Sequence, residues 1–79
     1  ALLVRPNDPF RRNQLGVAFR NANKLSDAVD QHKRAIAIDP NFADAYYNLA
    51  LAQAARDEWD PAIEALRNAV RLKGDHAEG

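Results

Sequence analysis

The sequence predicts an all-α fold in which antiparallel helix-turn-helix pairs stack as an α-solenoid, about four helices plus an N-terminal helical stub. Three observations carry this. Pro6 and Pro40 stand 34 residues apart, and the same offset lays Asn7 on Asn41, Leu15 on Leu49, Ala28 on Ala62, Ala35 on Ala69 and Ile38 on Leu72. Self-similarity at such a period marks stacked supersecondary units. Within each unit apolar residues recur at helical spacing. The apolar content is rich in alanine with only three glycines, the composition of a folded helical chain and not of a disordered tail.

The helices are expected, in order, over 9–22, 26–38, 42–55 and 60–73. Asp8-Pro9 opens the first: an N-cap residue is followed by a proline at the first helical position, where its missing N–H costs nothing. Leu15, Ala18, Phe19 and Ala22 form its apolar stripe, and Asn23 tolerates the left-handed conformation that ends it. Ser26 is the expected cap of the second helix, which carries Ala28, Val29, Ala35, Ile36 and Ile38. Asp39-Pro40-Asn41 breaks the chain again. The third helix runs through Tyr46, Leu49, Ala50 and Gln53 toward a stop near Asp57. Asp60-Pro61 reads as a second Asp-Pro cap, opening a helix through Ile63, Leu66, Ala69 and Leu72. Ala28, Ala35, Ala62 and Ala69 have so little bulk that neighbouring helices can approach closely there. The organisation expected is the tail of a preceding repeat over 1–8, repeat one over 9–42, repeat two over 43–76, and the start of a following repeat over 77–79. The stretch reads as a piece of a longer solenoid.

With 79 residues the chain makes at most one small domain. A chain of that size buries about 60–65% of its unfolded surface, so its stability is expected to be marginal. There is no cysteine, which removes disulfides and thiolate metal sites. The longest apolar run is Leu49-Ala50-Leu51-Ala52, too short for membrane insertion. No secretory leader pattern is visible, and a cytoplasmic setting is the expectation for this stretch. Eleven basic and eleven acidic residues cancel, so the electrostatic footprint of a nucleic-acid binder is missing. The signs are unevenly spread: residues 9–42 hold six basic against three acidic side chains, residues 43–76 four against six.

Few residues could carry chemistry. Ser26 is the one hydroxyl of the serine-threonine kind, and its place before a helix explains it as a cap. His32 falls where two paired helices meet and is expected to be structural; His76 is expected to be exposed. The scattered glycines form no phosphate-cradling loop, and no metal-ligand motif occurs. Trp59, which matches Leu25 one unit earlier, is expected to pack at the core or its edge. No catalysis and no cofactor are expected.

The pattern resembles the tetratricopeptide repeat, W-x2-L-G-x2-Y, then A-x3-F, then an alanine and a closing proline over about 34 residues. Unit one offers Arg12-x2-Leu15-Gly16-x2-Phe19, Ala28-x3-His32, Ala35 and Pro40; unit two offers Tyr46-x2-Leu49-Ala50-x2-Gln53, Ala62-x3-Leu66, Ala69 and Gly74. Arg12, His32, Gln53 and Gly74 depart from it. At Arg12 the aliphatic stem is expected to lie flat while the guanidinium reaches water. The resemblance covers essentially the whole chain. It implies a non-catalytic scaffold that binds a peptide or protein partner in a concave groove lined by the first helix of each repeat.

Carried over by position, the groove residues are Phe10, Asn13, Gln14, Val17 and Arg20 with Asp44, Tyr47, Asn48 and Leu51. Helical spacing alone gives nearly the same stripes, 10, 13, 17, 20 and 44, 47, 51, opposite Leu15, Phe19 and Leu49. The lysine-asparagine clamp by which some family members hold a C-terminal carboxylate is not matched. Asn13 and Val17 stand where it needs lysine and asparagine. The alternative is a structural module that self-associates end to end through uncapped ends, giving a homo-oligomer.

Overall fold

The computed structural model describes residues 8–78, which form four helices: α1 (Pro9–Asn21), α2 (Leu25–Ile38), α3 (Ala43–Ala55) and α4 (Trp59–Glu78). No strand occurs among the described residues. The expected N-terminal stub, apart from Asp8, lies outside them, as does the side chain of His76.

Helix α1 starts as its sequence asks. The Asp8 carboxylate accepts from the Phe10 N–H at 2.9 Å, and Pro9 takes the first helical position. The turns inside the two units are one device used twice. Asn23 and Asp57, a repeat apart, both sit in the left-handed region, at φ 65° and 63°. After α1, the Asn23 N–H donates to the Arg20 carbonyl and the Lys24 N–H to the Phe19 carbonyl. After α3, Asp57 donates to Ala54 and Glu58 to Gln53 in the same way. These are Schellman closures, in which a left-handed residue lets the chain turn back and bond the last carbonyls of the helix.

The same closures correct two expected helix starts. Lys24 and Glu58, the residues that finish one helix, already begin the next: their carbonyls accept from Ala28 and Ala62 at 3.0 and 3.1 Å. Helix α2 therefore starts at Leu25 with no side-chain cap, and Ser26 lies inside its first turn. Helix α4 starts at Trp59, with Asp60-Pro61 inside its first turn, where helical N–H groups lack partners in any case. Between α2 and α3, Asp39 accepts from the Asn41 and Phe42 N–H groups around Pro40. The end of α4 is a third correction. It does not stop at Lys73 but runs on to Glu78, because Gly74 stands where Pro40 stood in unit one. Glycine weakens a helix by about 1 kcal/mol relative to alanine, but it keeps its N–H and does not break the ladder.

Helix α1 packs on α2, α2 on α3 and α3 on α4, with a lighter contact between α1 and α3. The four alanines expected at close approaches are buried, Ala28 and Ala35 completely and Ala62 and Ala69 nearly so, and Ala45, Ala52 and Ala65 are buried with them. Around them pack Val29, Leu49, Phe42 and the half-buried Phe19, Ile36 and Tyr46. Leu49 is 6% exposed, whereas Leu15, its repeat equivalent and an expected core residue, is 48% exposed. Helix α2 covers that side of α3, and none of the described helices covers the same side of α1. Trp59 is likewise exposed, at the outer edge of α4. Arg12 takes a different course from the one expected: its Nη1 donates at 3.3 Å to Gln31 Oε1 on α2, a part-buried bond that ties the two helices together.

Candidate protein-interaction groove

Helices α1 and α3 are the first helices of their units, and their light contact makes the floor of one face. The join is explicit. Asn48 Nδ2 donates to Asn13 Oδ1 at 3.1 Å, a part-buried bond between residues 35 apart in the chain. Each amide keeps capacity after this bond: Asn48 retains one N–H and its oxygen, Asn13 both N–H donors and a lone pair. Val17 and Leu51 are half-buried and Tyr47 is about half exposed, so a mixed apolar and amide surface surrounds the pair.

The remaining candidates spread outward from this centre. Phe10 is largely exposed, yet its ring meets Phe42 edge-on, with centroids 5.0 Å apart and planes at 66°. Such a pair contributes about 0.5–1.5 kcal/mol beyond area burial and holds the Phe10 ring against the residue that precedes α3. Asp44 is exposed and pairs with Lys73 of α4 at 3.3 Å, a surface ion pair of little weight for stability. Gln14 and Arg20 leave the stripe. Gln14 lies in a shallow hollow with Arg11, Leu15 and Ala18. Arg20 is half-buried, with its Nε enclosed and without a hydrogen-bond partner.

Behind Arg20 lies a feature that motif reading alone misses. His32 is completely buried, and neither ring nitrogen has a hydrogen-bond partner. A Cβ added at Gly16 would stand 2.5–2.8 Å from three atoms of the imidazole ring, so Gly16 is where α1 makes room for it. Unit two fills the same two positions with Ala50 and Leu66. Burial, and secondarily the Arg20 guanidinium, pushes the His32 pKa down to about 4. A neutral imidazole without partners is a packing element, as expected, although a costly one. The signal available in the sequence was size: a glycine in one helix against a large residue in its partner.

Among the described residues no cluster of His, Asp and Glu could hold a metal ion. No described helix is long and apolar enough to cross a membrane.

The family model described as TPR repeat matches residues 16–57, more than half of the chain. The chain belongs to the tetratricopeptide repeat family. Among curated proteins it is similar to the peroxisomal targeting signal receptor of Kluyveromyces lactis, 35% identical over 72 residues, covering 91% of the chain and 13% of the relative. The receptor of the same name from Saccharomyces cerevisiae is 40% identical over 52 residues, 66% of the chain and 8% of the relative. A small glutamine-rich tetratricopeptide repeat-containing protein of Mycosarcoma maydis is 31% identical over 72 residues, 91% of the chain and 20% of the relative. The chain thus spans a fifth or less of the length of these relatives.

Proposed function

We propose that this tetratricopeptide chain is a non-catalytic protein-interaction module that holds an extended segment of a partner protein across the face shared by α1 and α3. The observation that carries this reading is the Asn13–Asn48 bond. It fixes two amides side by side in a half-buried floor, where their spare donors and acceptors meet a peptide backbone without reading its sequence. Tyr47, Val17 and Leu51 supply contact area around them, an exposed aromatic being the usual anchor of such a surface. Phe10 and Asp44 bound the face, while Gln14 and Arg20 are peripheral to it. The names of the relatives, receptors for a targeting signal, fit a module whose ligand is a short protein segment.

The test starts with peptides selected on the native chain from an unbiased display library. Tyr47→Ala with Asn48→Ala should weaken the selected ligands by about 2–4 kcal/mol while helicity is kept. A matched substitution on the opposite face, Glu64→Ala, should leave them unchanged. Ligands indifferent to the Tyr47 and Asn48 changes would place the binding face elsewhere.

A further inference from the structure

The charges that border the α1–α3 face are not balanced. Asp44 is answered by Lys73 at 3.3 Å. Arg20, in the last turn of α1, forms no ion pair among the described residues. Its setting is also unlike that of the exposed cations. Among the described residues two arginines are half-buried; Arg12 donates to Gln31, whereas Arg20 has its Nε enclosed without a partner. A long helical side chain leans back toward the N-terminus of its helix. The enclosed Nε, and the charge felt by His32 against Gly16, place the Arg20 stem over the Gly16 turn. The outer Nη groups make no hydrogen bond and are not enclosed. One repeat later the position is Ala54, so α3 has no second cation there.

A guanidinium held in this way is half of a site. Its stem is already fixed, so less rotamer freedom is lost when it binds. Its charge is partly desolvated with no counter-ion, a cost that an incoming carboxylate removes through bonds about twice as strong as neutral ones. The edge position selects a side chain over a chain end. Arg20 stands two turns, about 10 Å, along α1 from Asn13, so a segment whose backbone meets the Asn13–Asn48 amides passes Arg20 beside it. At roughly 3.3 Å per extended residue, the carboxylate belongs within about three residues of the one held by the amides.

We infer that Arg20 is the specificity-determining residue of the α1–α3 face, reading one aspartate or glutamate side chain of the bound segment. This rests on the groove reading above and adds selectivity to a floor that meets only backbone.

The probe is a display library of random peptides, selected in parallel on the native chain, on Arg20→Lys and on Arg20→Glu, with the helicity of each checked by circular dichroism. Native chain and Arg20→Lys should both enrich Asp or Glu at one position, and Arg20→Glu should enrich Lys or Arg there. A peptide selected on the native chain, resynthesised with that carboxylate as the amide, should bind the native chain about tenfold more weakly and Arg20→Gln no differently from its parent. The first of these measurements needs no variant to fold. Amidating the peptide's C-terminus should leave affinity unchanged. Peptides that need Tyr47 and Asn48 but show no acidic preference, or keep it on Arg20→Glu, would overturn the role of Arg20 and leave the groove standing. Loss of affinity on C-terminal amidation, with indifference to the acidic side chain, would assign Arg20 to a chain end and overturn the inference equally. Peptides indifferent to the Tyr47 and Asn48 changes would remove the groove, and this inference with it.

Discussion

Helices α2 and α4 are the same element of the repeat in two settings. Each packs against the first helix of its own unit and buries its small residues, Ala28 and Ala35 in one, Ala62 and Ala69 in the other. They differ on the other side. Val29 is 7% exposed beneath α3, and its equivalent Ile63 is 51% exposed; Ile36 is half-buried, and Val70 is 63% exposed. The residues are no more polar at the exposed positions than at the buried ones. Repeat position therefore says which residues can be buried, and the presence of a neighbouring helix decides which of them are. This is the expected behaviour of a quasi-one-dimensional array, whose stability is a sum of unit and neighbour terms.

The comparison can be broken most forcefully at the leucine pair. Leu49→Ala should cost about 2–4 kcal/mol, because a cavity opens between α2 and α3. Leu15→Ala, the same change one repeat earlier, should cost less than about 1 kcal/mol because much of that side chain already meets water. Urea unfolding of both variants measures the difference, and equal costs would refute the equivalence of register without equivalence of cover.

His32 sets unit one apart chemically, since Leu66 at its equivalent cannot titrate. The folded pKa is depressed to about 4, below the ordinary value of 6.5. The unfolded chain therefore binds this proton before the folded chain does. The contribution of His32 is fully present above pH 6.5 and is lost as pH falls from there through about 4. At one pH unit inside that window the loss is about 1.4 kcal/mol, and near its lower end about 3 kcal/mol. Unfolding midpoints measured from pH 7 to pH 5 in the native chain and in His32→Leu should diverge, the native chain losing more. Parallel pH profiles would contradict the buried neutral imidazole.

A smaller effect sharpens the pairing of Gly16 with His32. Gly16→Ala alone pushes a methyl group into the ring and should cost about 1–3 kcal/mol, as overpacking does. Combined with His32→Leu it rebuilds the Ala50–Leu66 arrangement of unit two, and most of the loss should be recovered. A double-mutant cycle reads this coupling directly. The least effect is expected at the groove floor, where Asn13→Ala removes one part-buried bond and should cost about 0.5–1.5 kcal/mol without changing the fold.

The architecture was readable in the sequence because the 34-residue offset and the helical stripes are repeated, so each unit checks the other. The helix starts were misread at Ser26 and Asp60 for a physical reason. Hydroxyl and carboxylate caps are conspicuous, but here Asn23 and Asp57 close one helix so tightly that the following residue opens the next. Helix α4 runs past the expected end at Lys73 because Gly74 stands at the place of Pro40, and only proline lacks the N–H. At the candidate site, helical spacing placed Asn13, Val17, Tyr47 and Leu51 on first helices, and the family resemblance added Asn48. It could not reveal that Asn13 reaches Asn48, a diagonal pair one residue off the repeat. The burial of His32 beside Arg20 depends on a gap at Gly16, which is a relation between two helices and not a pattern along either.

Amide hydrogen exchange resolved by residue tests the comparison between α2 and α4 most directly. Slowly exchanging amides report opening free energies near the global value, and uncovered elements exchange through smaller openings. The N–H groups of Val29, His32 and Ile36 should exchange at the rate set by global unfolding, and those of Ile63, Leu66 and Val70 at least tenfold faster. Equal protection of the two helices in the free chain would contradict the claim that cover by a neighbouring helix, and not repeat position, decides how firmly each is held.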